Sequence, residues 1–215
     1  MVNTGEYTKM ECDTAVQLYE LVMWWFGMRK PPRTLDDIKA DPRTVWEELW
    51  FNKGADIDAM SKRWSELLTG DGPRFDPHAA PTDDVVTMGL MLLYDQVPRN
   101  AFRGTSNAYQ YDCLAKPVAL YLAKRVVDGN LSSCPNAVKL AVMLCLVHDE
   151  DATSQALAQS VLKTCDRLDV GLYSTAQKVC ERHTLRVELF GRIPERARIK
   201  GVSLTEPERA FLDAL

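Results

Sequence analysis

The chain has 215 residues, 46 % of them apolar, with 26 Lys+Arg against 30 Asp+Glu and a net charge of −4. At about 100–200 residues per domain, that length gives one large domain or two very small ones. Such a chain buries roughly 70 % of its unfolded surface, enough for a core without metal or disulfides. The acidic balance argues against a general binder of nucleic acid or of membrane surfaces, which needs a basic face.

The longest apolar run without a charge covers ten residues, 85–94. A membrane span needs about 20. No basic stretch followed by an apolar one opens the chain, so no secretory signal is expected. Six cysteines are present, none in CxxC spacing. Without a secretory signal they read as reduced, structural thiols of an intracellular protein.

Helical periodicity dominates the elements. Val16, Tyr19, Val22 and Phe26 predict a helix over 13–27, closed by Gly27, and Pro31 and Pro32 forbid its continuation. Residues 29–44 read as a loop. Trp46 and Trp50 lie four apart on a short aromatic helix over 45–51. Ile57, Met60, Trp64, Leu67 and Leu68 predict the next helix, with Asp56 as its N-cap. Residues 69–81 carry two glycines and three prolines and read as a lid or a surface connection.

Thr82 is then the expected cap of a helix that is apolar nearly all round, and therefore buried on most sides. This helix should stop near Gln96, because Val97 precedes Pro98. Residues 99–104 read as a turn. A helix over 112–128 follows, which Pro117 either kinks or delays. Pro135 opens a second central helix with a continuous apolar run at 140–147. Leu157, Val161, Cys165 and Leu168 predict one amphipathic helix; Leu172 through Phe190 predict another, ended by Gly191 and Pro194. A short helix starts near Thr205, with Glu206, Pro207 and Glu208 in its first turn. No segment alternates as a strand does, so an all-α fold of about eight antiparallel helices is expected.

Four polar clusters lie against the most buried helices. They are Asp95-Gln96-Val97-Pro98-Arg99-Asn100 with Arg103, His148-Asp149-Glu150-Asp151, His183 with Arg186, and Arg192-Ile193-Pro194-Glu195-Arg196. Arginines near helix C-termini either hydrogen-bond the last carbonyls, or converge as guanidinium forks on a carboxylate or phosphate. Their alternative partners are the chain's own Asp95, Glu150 and Asp151, in a buried ion network. His148 ends a wholly apolar helix. It reads as a general acid–base oriented by Glu150 or Asp151, or as a histidine bonded to a backbone carbonyl. No ligand-spaced metal motif and no nucleophile, P-loop or dinucleotide motif is present.

These clusters carry a resemblance. Trp24-Trp25-Phe26-Gly27, Trp50-Phe51, Leu93-Tyr94-Asp95-Gln96-Val97-Pro98-Arg99-Asn100 with Phe102-Arg103-Gly104-Thr105, Tyr111-Asp112, His148-Asp149-Glu150-Asp151, and His183 with Phe190-Gly191-Arg192 and Pro194 resemble the motifs of the family catalogued as domain of unknown function 924. The likeness covers about nine-tenths of the chain and implies a tetratricopeptide-like all-α fold and no defined activity. Glu195 and Ala197 stand where the family's last motif has histidine and asparagine.

The expectation is one domain over 1–215, a right-handed superhelix of antiparallel hairpins. Its function reads as a binding scaffold with a pocket for a small anionic ligand or a peptide, lined by Asp95, Gln96, Arg99, Asn100, Arg103, His148, Glu150, Asp151, His183, Arg192 and Arg196. The alternative is a hydrolase- or lyase-like enzyme with His148, Glu150 and Asp95 as catalytic candidates. No cofactor, metal, nucleic-acid or membrane partner is expected. Alternate helices of stacked hairpins run the same way, so the three helix C-termini at Gln96, His148 and Gly191 should open onto one end of the domain, with Arg99 in reach of 148–151.

Overall fold

In a computed structural model of the chain, which describes residues 9–51, 55–69, 74–76 and 83–215, the protein is 71 % helix with no strand among the described residues. The α-helices are α1 (Lys9–Trp25), α2 (Pro42–Thr44), α3 (Ala55–Ser65), α4 (Asp84–Ala101), α5 (Asp112–Val127), α6 (Asn136–Val147), α7 (Ala152–Lys163), α8 (Val170–Phe190), α9 (Pro194–Ile199) and α10 (Glu206–Asp213). The number exceeds the expected eight because α2 and α9 are short turns beside the longer rods. The expected loop over 69–81 lies largely outside the described residues.

Two helices are central, as their apolar runs require. Every residue of α6 from Ala137 to Val147 is buried. That includes Lys139, whose ammonium donates to the carbonyls of Ser132 (3.1 Å) and Thr164 (3.0 Å). Helix α4 is buried from Met88 to Asp95 and packs on α1, α3 and α5. Helices α5, α6, α7 and α8 pack each on the next, and one apolar cluster runs from Leu18 to Cys180.

Several boundaries differ from the sequence reading. Asp83, not Thr82, caps α4: its carboxylate accepts from the amides of Val85 (2.8 Å) and Val86 (3.1 Å) and from the Tyr19 hydroxyl. The expected cap, Thr82, lies outside the described residues, and the Asp83 carboxylate, two residues before the first free amides, takes two of the orphan donors. Asp56 lies inside α3 rather than before it. The aromatic segment Val45–Trp50 is a π-helical turn, and Trp50 stacks on Trp25 (5.6 Å, 17°) while its indole donates to the Trp25 carbonyl. Helix α7 ends at Lys163, so Cys165 and Leu168 fall beyond it. Pro117 lies inside α5 without delaying its start.

The largest departure is at Pro98. Helix α4 runs through it to Ala101. The proline removes one backbone donor, but side chains hold the surrounding turn. Arg99 Nη1 donates to the Asp95 carbonyl at 2.7 Å and Asn100 Nδ2 to the Gln96 carbonyl at 3.1 Å. The five extra residues, 97–101, include Arg99 and set it one helical turn beyond Asp95.

Gly89 sets how closely α1 approaches α4. A Cβ built there would meet the Leu18 Cβ at 2.8 Å and the Leu18 carbonyl oxygen at 3.0 Å. Helix propensity alone favours Gly89→Ala by about 1 kcal/mol, whereas overpacking costs roughly 1–3 kcal/mol. Gly89→Ala should therefore destabilise in urea unfolding; a gain in stability would contradict the close contact.

Candidate functional site

The first three clusters and the far end of the fourth meet where α4, α6 and α8 end. Asp95 is the centre. Its side chain is 2 % exposed, and Arg99, His148, Gln96 and the Cys145 thiol all bear on it. Arg99 Nη1 lies 2.9 Å from Oδ1, His148 Nδ1 lies 3.1 Å from Oδ1 and 2.9 Å from Oδ2, and the Gln96 amide donates to Oδ2 at 2.5 Å. Burial opposes the charge on Asp95, but Arg99 and His148 outweigh it and hold its carboxyl below the ordinary range.

Asp112, the first residue of α5, bridges the two deepest arginines: Arg99 Nη1 at 2.9 Å and Arg196 Nη1 at 3.2 Å. The same Arg196 nitrogen donates to the His148 carbonyl at 2.6 Å and lies 3.8 Å from Glu150. Glu150 accepts the Ile193 amide at 2.9 Å, which ties the turn after α6 to the start of α9. Arg99, Arg196 and Lys200 all sit over the Tyr109 ring, at 5.7, 5.2 and 5.5 Å. Asp95 and Asp112 hold Arg99 protonated against its burial. Burial, then the Arg99 charge, pushes Arg196 below its usual value.

His148 is 19 % exposed. Burial, then the Arg99 charge, pushes its imidazole down to about 4, although Asp95 opposes this. At neutral pH the contact is therefore a neutral imidazole donating Nδ1–H to a carboxylate, with Nε2 left bare. His183 on α8 stands edge-on to it, ring centres 5.8 Å apart. His183 Nδ1 donates to the Val179 carbonyl at 2.8 Å. Burial and the arginines Arg196, Arg186 and Arg182 lower its affinity for a proton, against that backbone bond.

Above these groups is a cavity of about 410 Å³, lined by Arg99, Arg103, Gly104, Ala108, Tyr109, His148, Arg182, His183, Arg186, Ile193, Glu195 and Arg196. Five arginines and one carboxylate face it. Arg186 is paired with Glu195 (2.6 Å). Arg99 Nη2 and Glu195 Oε2 are buried with no hydrogen-bond partner among the described residues.

Of the residues singled out from sequence, Asp95, Gln96, Arg99, His148, Glu150, His183 and Arg196 come together, and Arg103 and Asn100 edge the group. Arg103 is 56 % exposed and bonds Asp58 (2.9 Å) and Asn100 (2.7 Å). Asp95, Gln96, Asn100 and Glu150 are not among the residues that line the cavity, although they touch ones that do, and two further residues belong to neither group. Arg192 turns to Glu208 (2.5 Å) and the Ser203 carbonyl, because Gly191, at φ 68°, swings the chain away after α8. Asp151 caps α7, accepting from the amides of Thr153 and Ser154. The carboxylate that orients His148 is Asp95, not Glu150 or Asp151. Arg99 reaches His148 through that shared carboxylate, and the direct partner of Glu150 is Arg196.

Asp112, Tyr109, Arg182 and Glu195 were absent from the expected set. Glu195 lies inside the fourth polar cluster and Asp112 inside the Tyr111-Asp112 motif, but both sit in first turns, where acidic residues are ordinary helix starts, and only their neighbours in space give them a place in the site. Among the described residues no group of three or more His, Cys, Asp or Glu could hold a metal ion, and no helix is long and apolar enough to cross a membrane. Cys113, Cys134, Cys145, Cys165 and Cys180 are free thiols, and burial pushes Cys145 well up.

The fold and this cluster fit a group defined by its sequence rather than by an activity. The chain matches bacterial proteins of unknown function (DUF924) over residues 21–215 and belongs to that family. The solved structure of protein of unknown function ATU0120 from Agrobacterium tumefaciens is similar to it, with 24 % identity and a TM-score of 0.56, over 94 % of this chain and 100 % of that one. That likeness is one of fold. No curated protein matches the chain.

Two outcomes follow from the pairing. Arg99→Ala leaves the buried Asp95 without its cation and the half-buried Asp112 with Arg196 alone, and should cost on the order of 3–5 kcal/mol in chemical unfolding, whereas Arg103→Ala, at an exposed pair, should cost under about 1 kcal/mol. His148 also couples stability to pH. Between pH 6.5 and about 4 the unfolded chain binds a proton that the native ring does not. Stability should therefore fall as pH drops through that window, by up to about 3 kcal/mol, and His148→Gln should flatten most of the slope. A pH-independent melting midpoint from 7 to 4.5 would contradict the buried neutral ring.

Proposed function

We propose that the cavity binds a small ligand through an anionic group. The observation that carries this reading is the wall itself: Arg99, Arg103, Arg182, Arg186 and Arg196 against the single carboxylate of Glu195. Guanidinium forks pair in bidentate fashion with carboxylate and phosphate, and the field of several cations in a recess raises the local concentration of anions. Arg182 is exposed and makes no side-chain ion pair among the described residues, so its charge is free for a ligand. The unpartnered Arg99 Nη2 supports the same reading. A tetratricopeptide-like stack of hairpins, in an intracellular protein, is the scaffold this reading assumes. The successive packing of α4 to α8 supports the stacked-hairpin part of it.

A second reading makes the ligand a substrate. It is favoured by one arrangement: a buried carboxylate fixing His148 Nδ1, with Nε2 bare at the cavity wall. That is the geometry of a general base, and it suits hydrolase- or lyase-like chemistry on an anion held by the arginines.

A thermal-shift screen against phosphorylated and carboxylated metabolites tests the first reading. A ligand at about 100 times its Kd stabilises by roughly 2.7 kcal/mol, so at least one should raise the midpoint by several degrees. Arg182→Ala should weaken that ligand about tenfold while leaving the unliganded midpoint within the ±0.5 kcal/mol typical of surface changes. Flat midpoints across both classes at millimolar concentration would overturn the reading. For the second, NMR of the bound ligand should show slow conversion that His148→Gln abolishes while the arginines still hold the ligand, at reduced affinity.

A further inference from the structure

The imidazoles at the cavity wall constrain the ligand in a way the arginines do not. Each ring has its Nδ1 against oxygen atoms that only accept: both Asp95 oxygens for His148, at 3.1 and 2.9 Å, and the Val179 carbonyl for His183, at 2.8 Å. Each Nδ1 therefore carries the hydrogen, and in a neutral ring each Nε2 is a lone pair. Neither Nε2 has a hydrogen-bond partner among the described residues, and both rings line the cavity. The wall thus offers guanidinium donors from Arg99, Arg182 and Arg196, and on the same surface two acceptors that need a hydrogen from the ligand.

A fully deprotonated oxyanion satisfies the arginines but turns its own lone pairs on the two imidazoles. An anion that also carries an O–H satisfies both. We infer that the cavity selects oxyanions bearing a hydroxyl hydrogen, either on the anionic head itself, as in hydrogen phosphate, or on the adjacent carbon, as in a 2-hydroxy carboxylate. This rests on the anion-binding reading above and adds the donor requirement to it. The burial that keeps both rings neutral supports it. A site built around buried acceptors rejects the analogue that lacks the matching hydrogen, because those acceptors then stay unpaired.

Two matched pairs of probes separate the outcomes by isothermal titration calorimetry in chloride buffer near pH 8. Hydrogen phosphate and sulfate are tetrahedral dianions of similar size, of which only the first carries a hydrogen. Glycolate and acetate are carboxylates that differ by one hydroxyl. The donor-bearing member of at least one pair should bind at least about tenfold more tightly, and which pair discriminates tells where the hydroxyl sits. His183→Gln, whose amide can donate as well as accept, should shrink that ratio toward one. Should that variant fail to fold, the comparison on the unaltered protein decides alone. Equal affinities within both pairs would overturn the donor requirement and leave the anion site standing. No binding by any of the four, with a flat metabolite screen, would remove both.

Discussion

A carboxylate that is 2 % exposed must be paired, and the pairing of Asp95 organises the rest of the site. It takes its cation from Arg99, one turn further along α4, and a neutral donor from His148 at the end of α6. The demand reaches back into the fold. Arg99 lies under Asp95 only if α4 remains helical through Pro98, and side-chain donors from Arg99 and Asn100 hold that turn. It also reaches forward. Arg99 shares Asp112 with Arg196, and Arg196 grips the His148 carbonyl. Three helices and the α8–α9 junction are thereby locked by one chain of alternating charges.

The layering of that chain gives the cavity its character. Asp95 and Asp112 lie behind, holding Arg99 charged. The arginines stand in front. The buried carboxylates offset the cost of bringing guanidinium groups together, while the cavity still faces five of them and one glutamate. The same arrangement keeps His148 neutral, since desolvation and Arg99 oppose its protonation more strongly than Asp95 favours it. A neutral, oriented imidazole beside a cationic wall is a base without a competing charge, which is why binding and catalysis draw on the same residues.

Much of this was legible in the sequence because it is periodic or local. The continuous apolar runs of α4 and α6 marked the two central helices, and the polar residues at their ends marked the site. Stacked hairpins placed the ends near Gln96, His148 and Gly191 together, and the Asp95–His148 and Glu150–Ile193 contacts meet that expectation. What was missed is long-range. The partner of His148 lies 53 residues away, not among its immediate acidic neighbours, because Glu150 and Asp151 are consumed by an amide and a helix cap. Backbone rules make Pro98 a stop because they do not count the side-chain donors that hold its turn. Arg192 was grouped with Arg196 by spacing, but one glycine in the left-handed region sends it to Glu208 instead.

The tautomer of His148 is the point on which both the binding and the catalytic readings converge, and nitrogen-15 NMR of the imidazole ring observes it directly. The account requires a neutral ring at pH 7, with a protonated Nδ1 and an unprotonated Nε2, persisting on acidification to about pH 5. An imidazolium at pH 7, or a hydrogen on Nε2, would mean that Asp95 does not orient this histidine as described.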